Sequence, residues 1–199
     1  MYELAILLTV VAAIMVATTL ALRYVGPALR IVEYVLLCGS IVTILFIAGF
    51  VGAEVFMRYL FNSPIQGHLE LSELMLPIIV FLALSYVQAT HGNIGIDLVL
   101  DMMAPATRRF NMMAALLVSI FICSVLAYFS FRNALQLWRF DDVTMTPPYF
   151  RTWPAAAAIP LGYGLIAVRM FVQFLHMLDP DRFGPYEPVR AELHRHDVE

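Results

Sequence analysis

Residues 54–73 read Glu54-Val-Phe-Met-Arg-Tyr-Leu-Phe-Asn-Ser-Pro-Ile-Gln-Gly-His-Leu-Glu-Leu-Ser-Glu73 and lie between two long uncharged runs. The stretch concentrates ionisable and amide side chains in an otherwise apolar chain, namely Glu54, Arg58, Asn62, His68, Glu70 and Glu73. Polar groups at membrane depth are costly and usually have partners. We therefore interpret the stretch as a turn at one face of a membrane that docks and anchors the chain.

The composition indicates an integral membrane protein. The chain has 199 residues, of which 61% are hydrophobic and 14% are charged, and its mean hydropathy is +0.81. A soluble domain is nearer one half apolar and one quarter charged. The length suits four or five spanning helices with short loops. A net charge of −3 excludes the basic footprint of a nucleic-acid-binding protein.

The apolar runs predict an all-α membrane fold with two helical hairpins. A helix needs about 20 apolar residues to cross the hydrocarbon core. Four runs in the later part of the chain meet this length and are joined in the middle by the 91–109 loop: 34–53, 74–90, 110–131 and 152–178. We expect these four core transmembrane helices in a domain over 31–178, followed by a polar tail over 179–199 that we expect to be cytoplasmic.

The first thirty residues predict an extra hydrophobic helix. Leu4 to Leu22 carries no charge. The start Met1-Tyr2-Glu3 lacks the basic region of a signal peptide, so we expect a retained helix, spanning or partly embedded. The stretch from Arg23 to Arg30, which contains Pro27, is expected to break this helix and act as a basic linker. We therefore assign residues 1–30 to a separate N-terminal segment.

Prolines and small polar residues predict where helices begin. Ser63, Pro64 and Gln66 form the pattern of a capping box with proline at the first helical position. They predict a short interfacial helix before the second hairpin helix, and a second interfacial segment is expected over 96–101. Pro77 should kink its helix, since proline lacks the N–H that would bond four residues back. Trp153-Pro154 should restart the chain as a helix after the break at 146–149.

Three further patterns concern individual side chains. Cys38 and Cys123 lie inside apolar runs and are interpreted as inert buried side chains. The small residues over 49–53 share one helix face, which fits either close helix packing or the general frequency of glycine in membrane helices. Arg169 lies near enough to the end of the last run that we expect it to extend toward the lipid headgroups.

The arginines predict the orientation. If Arg23 and Arg30 are cytoplasmic, alternation of the spans places seven arginines on that side and four on the other. The positive-inside rule favours this arrangement. The turn at 54–73 would then face outward, toward the periplasm in a Gram-negative cell.

No motif for catalysis, phosphate binding or redox chemistry is present. We therefore expect no enzyme activity, cofactor or metal. Two alternatives stay open, namely a haem-binding or redox membrane anchor and an autonomous small transporter. The polar turn likewise has two interpretations. It either anchors a partner subunit, or its groups satisfy one another, since Glu54 and Arg58 have the favourable i, i+4 order.

Several stretches taken together resemble one family. Val55-Phe-Met-Arg-Tyr-Leu-Phe-Asn-Ser-Pro64, the pair Glu70 and Glu73, and His91-Gly-Asn-Ile-Gly-Ile-Asp-Leu98 follow one another in the order and spacing of a known pattern. Thr146-Pro-Pro and Trp153-Pro resemble the break before that family's last helix. The chain is similar to the small membrane subunit, of DctQ type, of tripartite ATP-independent periplasmic (TRAP) transporters.

The resemblance implies a scaffold role in the bacterial inner membrane. Such subunits pair with a large membrane subunit of DctM type, which carries the substrate and Na⁺ sites, while a periplasmic binding protein delivers an organic acid. The small subunit would bind the lipid bilayer and these partners but no solute. The resemblance implies these candidate contact residues: Glu54, Arg58, Tyr59, Asn62, Pro64, Glu70, Glu73 and Asp97.

Overall fold

The structure, a computed structural model, describes residues 22–90 and 105–178, and the side chains of 28–90 and 107–178. Three predictions fall outside these residues. They are the N-terminal helix from Leu4 to Leu22, the 91–104 loop with its interfacial segment and Asp97, and the tail over 179–199.

Four long helices make up most of the described chain. They are α1 (Leu22–Phe61), α2 (His68–Ala89), α3 (Pro105–Arg139) and α4 (Trp153–Leu178). Each is long and apolar enough to cross a membrane, and no strand is assigned within 22–90 or 105–178. The predicted all-α membrane fold with four core helices is therefore confirmed.

Helix α1 corrects the prediction of a break in the 23–30 stretch. The helix is unbroken from Leu22 through Pro27 to Phe61. A proline removes one hydrogen bond of the ladder, but its fixed φ is compatible with a helix, so a helix can continue through it. Pro77 likewise lies inside α2.

The turn between α1 and α2 corrects the predicted interfacial helix. Residues 63–65 have no regular structure, and α2 begins at His68 instead. The chain reverses direction here through left-handed conformations at Asn62, with φ of 51°, and Gly67, with φ of 80°. The Gly67 carbonyl accepts the first helical hydrogen bond, from the N–H of Leu71 at 3.0 Å. Because Gly67 is left-handed, a helix begun at Ser63 cannot pass through it.

The second turn has well-defined helix ends. Helix α3 ends in a Schellman motif, in which Asp142 N–H donates to the Leu137 carbonyl at 3.1 Å and Asp141 N–H donates to the Trp138 carbonyl at 3.4 Å. The Thr152 carbonyl accepts the first hydrogen bond of α4 at 3.2 Å. Helix α4 then starts at Trp153, which confirms the predicted restart.

The described residues belong to two compact units. The turn unit contains both turns and comprises 32–84 and 126–163. The terminal unit comprises the described residues of the ranges 1–31, 85–125 and 164–199. In the terminal unit, Ile120 of α3 and the α4 residues Phe171 and Leu175 form a buried apolar cluster, against which Met170 and Phe174 pack.

In the turn unit, α4 approaches α2 at backbone contact distance. A Cβ atom built on Gly162 would lie 2.5 Å from the carbonyl oxygen of Phe81, so only glycine fits this crossing. The Phe81 ring also meets the Tyr163 ring edge-on, with centroids 4.9 Å apart. Helix α1 joins α2 through the Ser40 hydroxyl, which donates to the Ile79 carbonyl at 2.8 Å.

Two predictions about single side chains are wrong. Arg169 is 3% exposed and therefore buried in protein, whereas we expected it to extend toward the headgroups. It lies nine residues before the end of α4, which at 1.5 Å per residue is about 13 Å along the axis and too far for a simple extension to the headgroups. Cys38 is exposed rather than buried, because its side of α1 faces outward.

The face of small residues on α1 also points outward. A Cβ atom built on Gly49 or Gly52 meets no described atom within 4 Å. Ala53 is exposed as well. Among the described residues, no helix therefore packs against this face, and close packing by another helix stays a prediction.

Candidate subunit-contact site at the polar turn

The centre of the polar turn is an ion pair on the last turns of α1. The Arg58 guanidinium donates from Nε at 2.9 Å and from Nη2 at 2.5 Å to Oε1 of Glu54. The two residues are one helical turn apart with the glutamate first, which is the stabilising order. The Glu54 side chain is 1% exposed and the Arg58 side chain 50% exposed. The carboxylate is thus buried beneath an arginine that still presents half of its surface outward.

His68, the first residue of α2, completes this centre. Its Nδ1 lies 2.9 Å from the carbonyl oxygen of Ile65. A carbonyl can only accept, so Nδ1 carries a proton in this contact. The same nitrogen is 3.9 Å from Glu54 Oε1. Arg58 therefore supplies the hydrogen bonds to the buried carboxylate, and the His68 ring lies close beside it.

Glu70 connects the two turns. The Thr146 hydroxyl donates a hydrogen bond to Oε1 of Glu70. Glu70 also lies in the first turn of α2, where the helix macrodipole favours negative charge. Beside it, Gly67 lies against the Pro148 ring, so that a Cβ atom there would collide with Cδ of Pro148 and lie 3.1 Å from the Phe150 ring. The α1–α2 turn is therefore held against the loop that follows α3.

That loop, residues 140–152, has an ordered internal structure. Val143 and Arg151 form an antiparallel bridge, and Arg151 Nε lies 3.2 Å from Asp141 Oδ1. The Thr152 hydroxyl donates to Asp142 Oδ2 at 2.9 Å. The sequence pattern indicated only a helix break here. It missed the contacts of Thr146 and Pro148 with the first turn, because nothing along the chain specifies which turn meets which.

The other candidate residues that the structure describes lie at the surface. Tyr59 is 83% exposed, and Asn62 and Pro64 are exposed in the turn. Glu73 is exposed on α2, and no described side chain is within hydrogen-bond or ion-pair distance of its carboxylate. The described candidates therefore fall into two groups. The side chains of Glu54, Arg58 and Glu70 form hydrogen bonds within the chain, whereas those of Tyr59, Asn62, Pro64 and Glu73 are exposed.

Metal binding finds no support in the part of the chain that the structure describes. Within it, no three side chains of His, Cys, Asp or Glu are grouped so that they could hold an ion.

Comparison with known families identifies the chain. Residues 47–179, well over half of its length, match the family model described as tripartite ATP-independent periplasmic transporters, DctQ component. The chain belongs to the DctQ family. Its polar turn, its second turn and all of α2, α3 and α4 lie within the matched range. No curated protein and no solved structure matched the chain.

Membership defines the role at a coarse level. A DctQ subunit is the small membrane component of a TRAP transporter, and the DctQ family is a family of transporter components rather than of enzymes. Together with four helices of spanning length, this makes the chain a multi-pass membrane protein.

Proposed function

We propose that this DctQ subunit is the static scaffold of a TRAP transporter in the bacterial inner membrane. It holds a large membrane subunit of DctM type, which performs Na⁺-coupled uptake of an organic acid that a periplasmic binding protein delivers. The chain itself binds no solute. The outward candidates Tyr59, Asn62 and Pro64 are exposed in the polar turn, where such a partner could bind.

The observation that carries this proposal is the closed network of the polar turn. Glu54 is held by Arg58 on its own helix and approached by His68 of the next. Glu70 is bonded to Thr146 of the other hairpin. A network that ties two hairpins together resists their relative movement, as a fixed support requires. Half of Arg58 remains exposed above it for a partner.

The distribution of arginines supports the orientation. With the polar turn in the periplasm and the C-terminus in the cytoplasm, seven arginines fall on the cytoplasmic side and four on the periplasmic side. Excess positive charge on cytoplasmic segments is the usual determinant of topology. The buried Arg169 enters neither count.

The test is copurification of the large subunit with a tagged small subunit, followed by uptake in proteoliposomes with the binding protein and a Na⁺ gradient. Arg58→Ala should reduce assembly or uptake and leave the solute affinity of the binding protein unchanged. Arg151→Ala is the matched control, because it also removes an arginine that is ion-paired at this edge. If Arg58→Ala behaves like the control in both assays, the turn does not anchor the large subunit.

A further inference from the structure

A carboxylate interrupts an apolar stripe on the outward face of α2. Leu69, Glu73, Leu76 and Val80 are spaced at i, i+4, i+7 and i+11, so they share one helix face. The three apolar members are 69%, 59% and 53% exposed in that order, and Glu73 is exposed as well. We call these four residues the α2 stripe.

The position of Glu73 does not fit a surface that faces only lipid. Apolar side chains lie on both sides of it, with Leu69 nearer the turn and Leu76 deeper along α2. Glu73 lies five residues into the helix, which at 1.5 Å per residue is about 7–8 Å from its first residue. Ionisable side chains in membrane-spanning segments almost always face protein or a water-filled cavity and pair with another group.

The Arg58 and His68 side chains of the polar turn already have other partners. Arg58 is bonded to Glu54, and His68 to the Ile65 carbonyl. Among residues 28–90 and 107–178, none supplies a cation or a donor to Glu73. A cation or donor for Glu73 would therefore come from outside the described residues.

We propose that the α2 stripe is the contact for a transmembrane helix of the large membrane subunit that carries an arginine or lysine at the depth of Glu73. This inference rests on the proposed scaffold function and specifies the surface that performs it. The apolar residues of the α2 stripe pack against the partner helix. The Glu73 carboxylate forms an ion pair with the partner's cation, and this pair sets the depth and register of the partner helix. The Glu73 carboxylate, for which the described residues supply no partner, distinguishes this face from the exposed apolar faces of α1 and α3, which lipid chains can cover.

Charge variants test the ion pair by copurification of the large subunit with the tagged small subunit. Glu73→Gln should lower the recovered large subunit roughly tenfold, because truncating one partner of a buried interfacial pair leaves the other charge unpaired. Glu73→Arg should lower it further. Asp141→Asn is the matched control, since it removes the same charge from an exposed carboxylate whose partner, Arg151, belongs to this chain. Equal recovery for Glu73→Gln and Asp141→Asn would overturn the proposal.

Photo-crosslinking at Leu76 tests the same contact without the charge variants, whose recovery would also fall if they failed to fold. A benzophenone amino acid at this position, in the otherwise unchanged complex, should label the large subunit. Labelling of lipid alone, or of a second copy of this chain, would overturn the α2 stripe as the contact. If the wild-type chain recovers no large subunit in any membrane preparation, the scaffold function fails as a whole. A wild-type complex whose Leu76 probe labels only lipid contradicts the stripe alone.

Discussion

The polar turn and the terminal unit deal with polar groups in apolar surroundings in opposite ways. In the polar turn, the buried Glu54 is neutralised by a half-exposed arginine that remains within reach of the outside. In the terminal unit, Gln88 of α2 and Gln173 of α4 are both buried, and the Gln88 amide donates to the Gln173 side-chain oxygen at 2.9 Å. The Gln173 amide donates in return to the Gln88 carbonyl at 3.3 Å.

The two regions differ in which polar side chains remain accessible to a partner subunit. The glutamines bond to each other, so they fix how α2 lies against α4 within the terminal unit. The polar turn satisfies its central carboxylate but leaves Arg58, Tyr59 and Glu73 accessible. An internal hydrogen bond between membrane helices contributes only modestly, whereas an unpaired buried charge is expensive. Substitutions should therefore affect the two regions to different extents.

The largest expected effect is at Arg58. Arg58→Ala should lower the free energy of unfolding by about 2–3 kcal/mol, because Glu54 stays buried without its main cation; the value is below that of a fully buried pair since half of Arg58 is exposed. Equilibrium unfolding in mixed micelles of detergent and SDS measures it. Glu54→Gln in the Arg58→Ala background should recover most of the loss. If it recovers nothing, the ion pair is not what stabilises the turn.

Gly67→Ala comes next. An alanine there adopts a left-handed conformation at a cost of about 1–2 kcal/mol, and its Cβ also meets the Pro148 ring. The same unfolding assay should show a loss of at least about 1 kcal/mol. Gly164→Ala is the control, because that glycine is helical with open space beside it. There, alanine should be neutral or stabilising. Equal losses at both glycines would contradict the assigned turn geometry.

Gln173→Leu tests the hydrogen bond between the two glutamines of the terminal unit. The variant leaves the Gln88 amide without its side-chain acceptor, and we expect a loss of about 1 kcal/mol. Adding Gln88→Leu should reduce the loss rather than double it, because it removes the donor whose side-chain acceptor was lost. A double-mutant cycle in the unfolding assay measures the coupling. Assembly with the large subunit should be unchanged in both variants. If the two losses in unfolding free energy are strictly additive, the two amides do not interact.

The smallest effect should be at Glu70. Glu70→Gln keeps an oxygen that accepts from Thr146, so the unfolding free energy should be nearly unchanged. Glu70→Ala removes that acceptor and should lower the unfolding free energy. Thr146→Val, which removes the donor, should lower it by the same amount as Glu70→Ala. A much larger loss for Glu70→Gln would mean that charge, rather than the hydrogen bond, joins the turns.

The helices were predictable because their signal is local. Uncharged runs bounded by ionisable residues gave the existence and order of all four core helices, and Trp153 marked the start of α4 closely. The start of α2 was not predictable in the same way. Ser63, Pro64 and Gln66 favour a helix locally, but the chain must also reverse between α1 and α2, and Gly67 provides the left-handed residue that this reversal uses.

The residues of the candidate site could be predicted from the sequence, but most of the contacts between them could not. The i, i+4 spacing gave the Glu54–Arg58 pair directly. The bond between Thr146 and Glu70 joins residues far apart in the chain, and no local pattern encodes it. The burial of Arg169 was missed for the same reason, since its environment depends on which helices surround α4. In α4, 44% of the most apolar window is buried, against 6% in each of the other three.

The unequal lengths of α1 and α2 have a consequence for the surrounding bilayer. The candidate span of α1 has 34 residues and that of α2 has 22, or about 51 Å and 33 Å at 1.5 Å per residue. Hydrocarbon about 30 Å thick accommodates α2 at an ordinary tilt, whereas the whole of α1 is too long to fit inside it. The uncharged run of α1 covers only 34–53, about 30 Å at 1.5 Å per residue, so the surplus of α1 lies at its charged ends, outside the hydrocarbon. Acyl-chain length should therefore act on α1 and α2 alike.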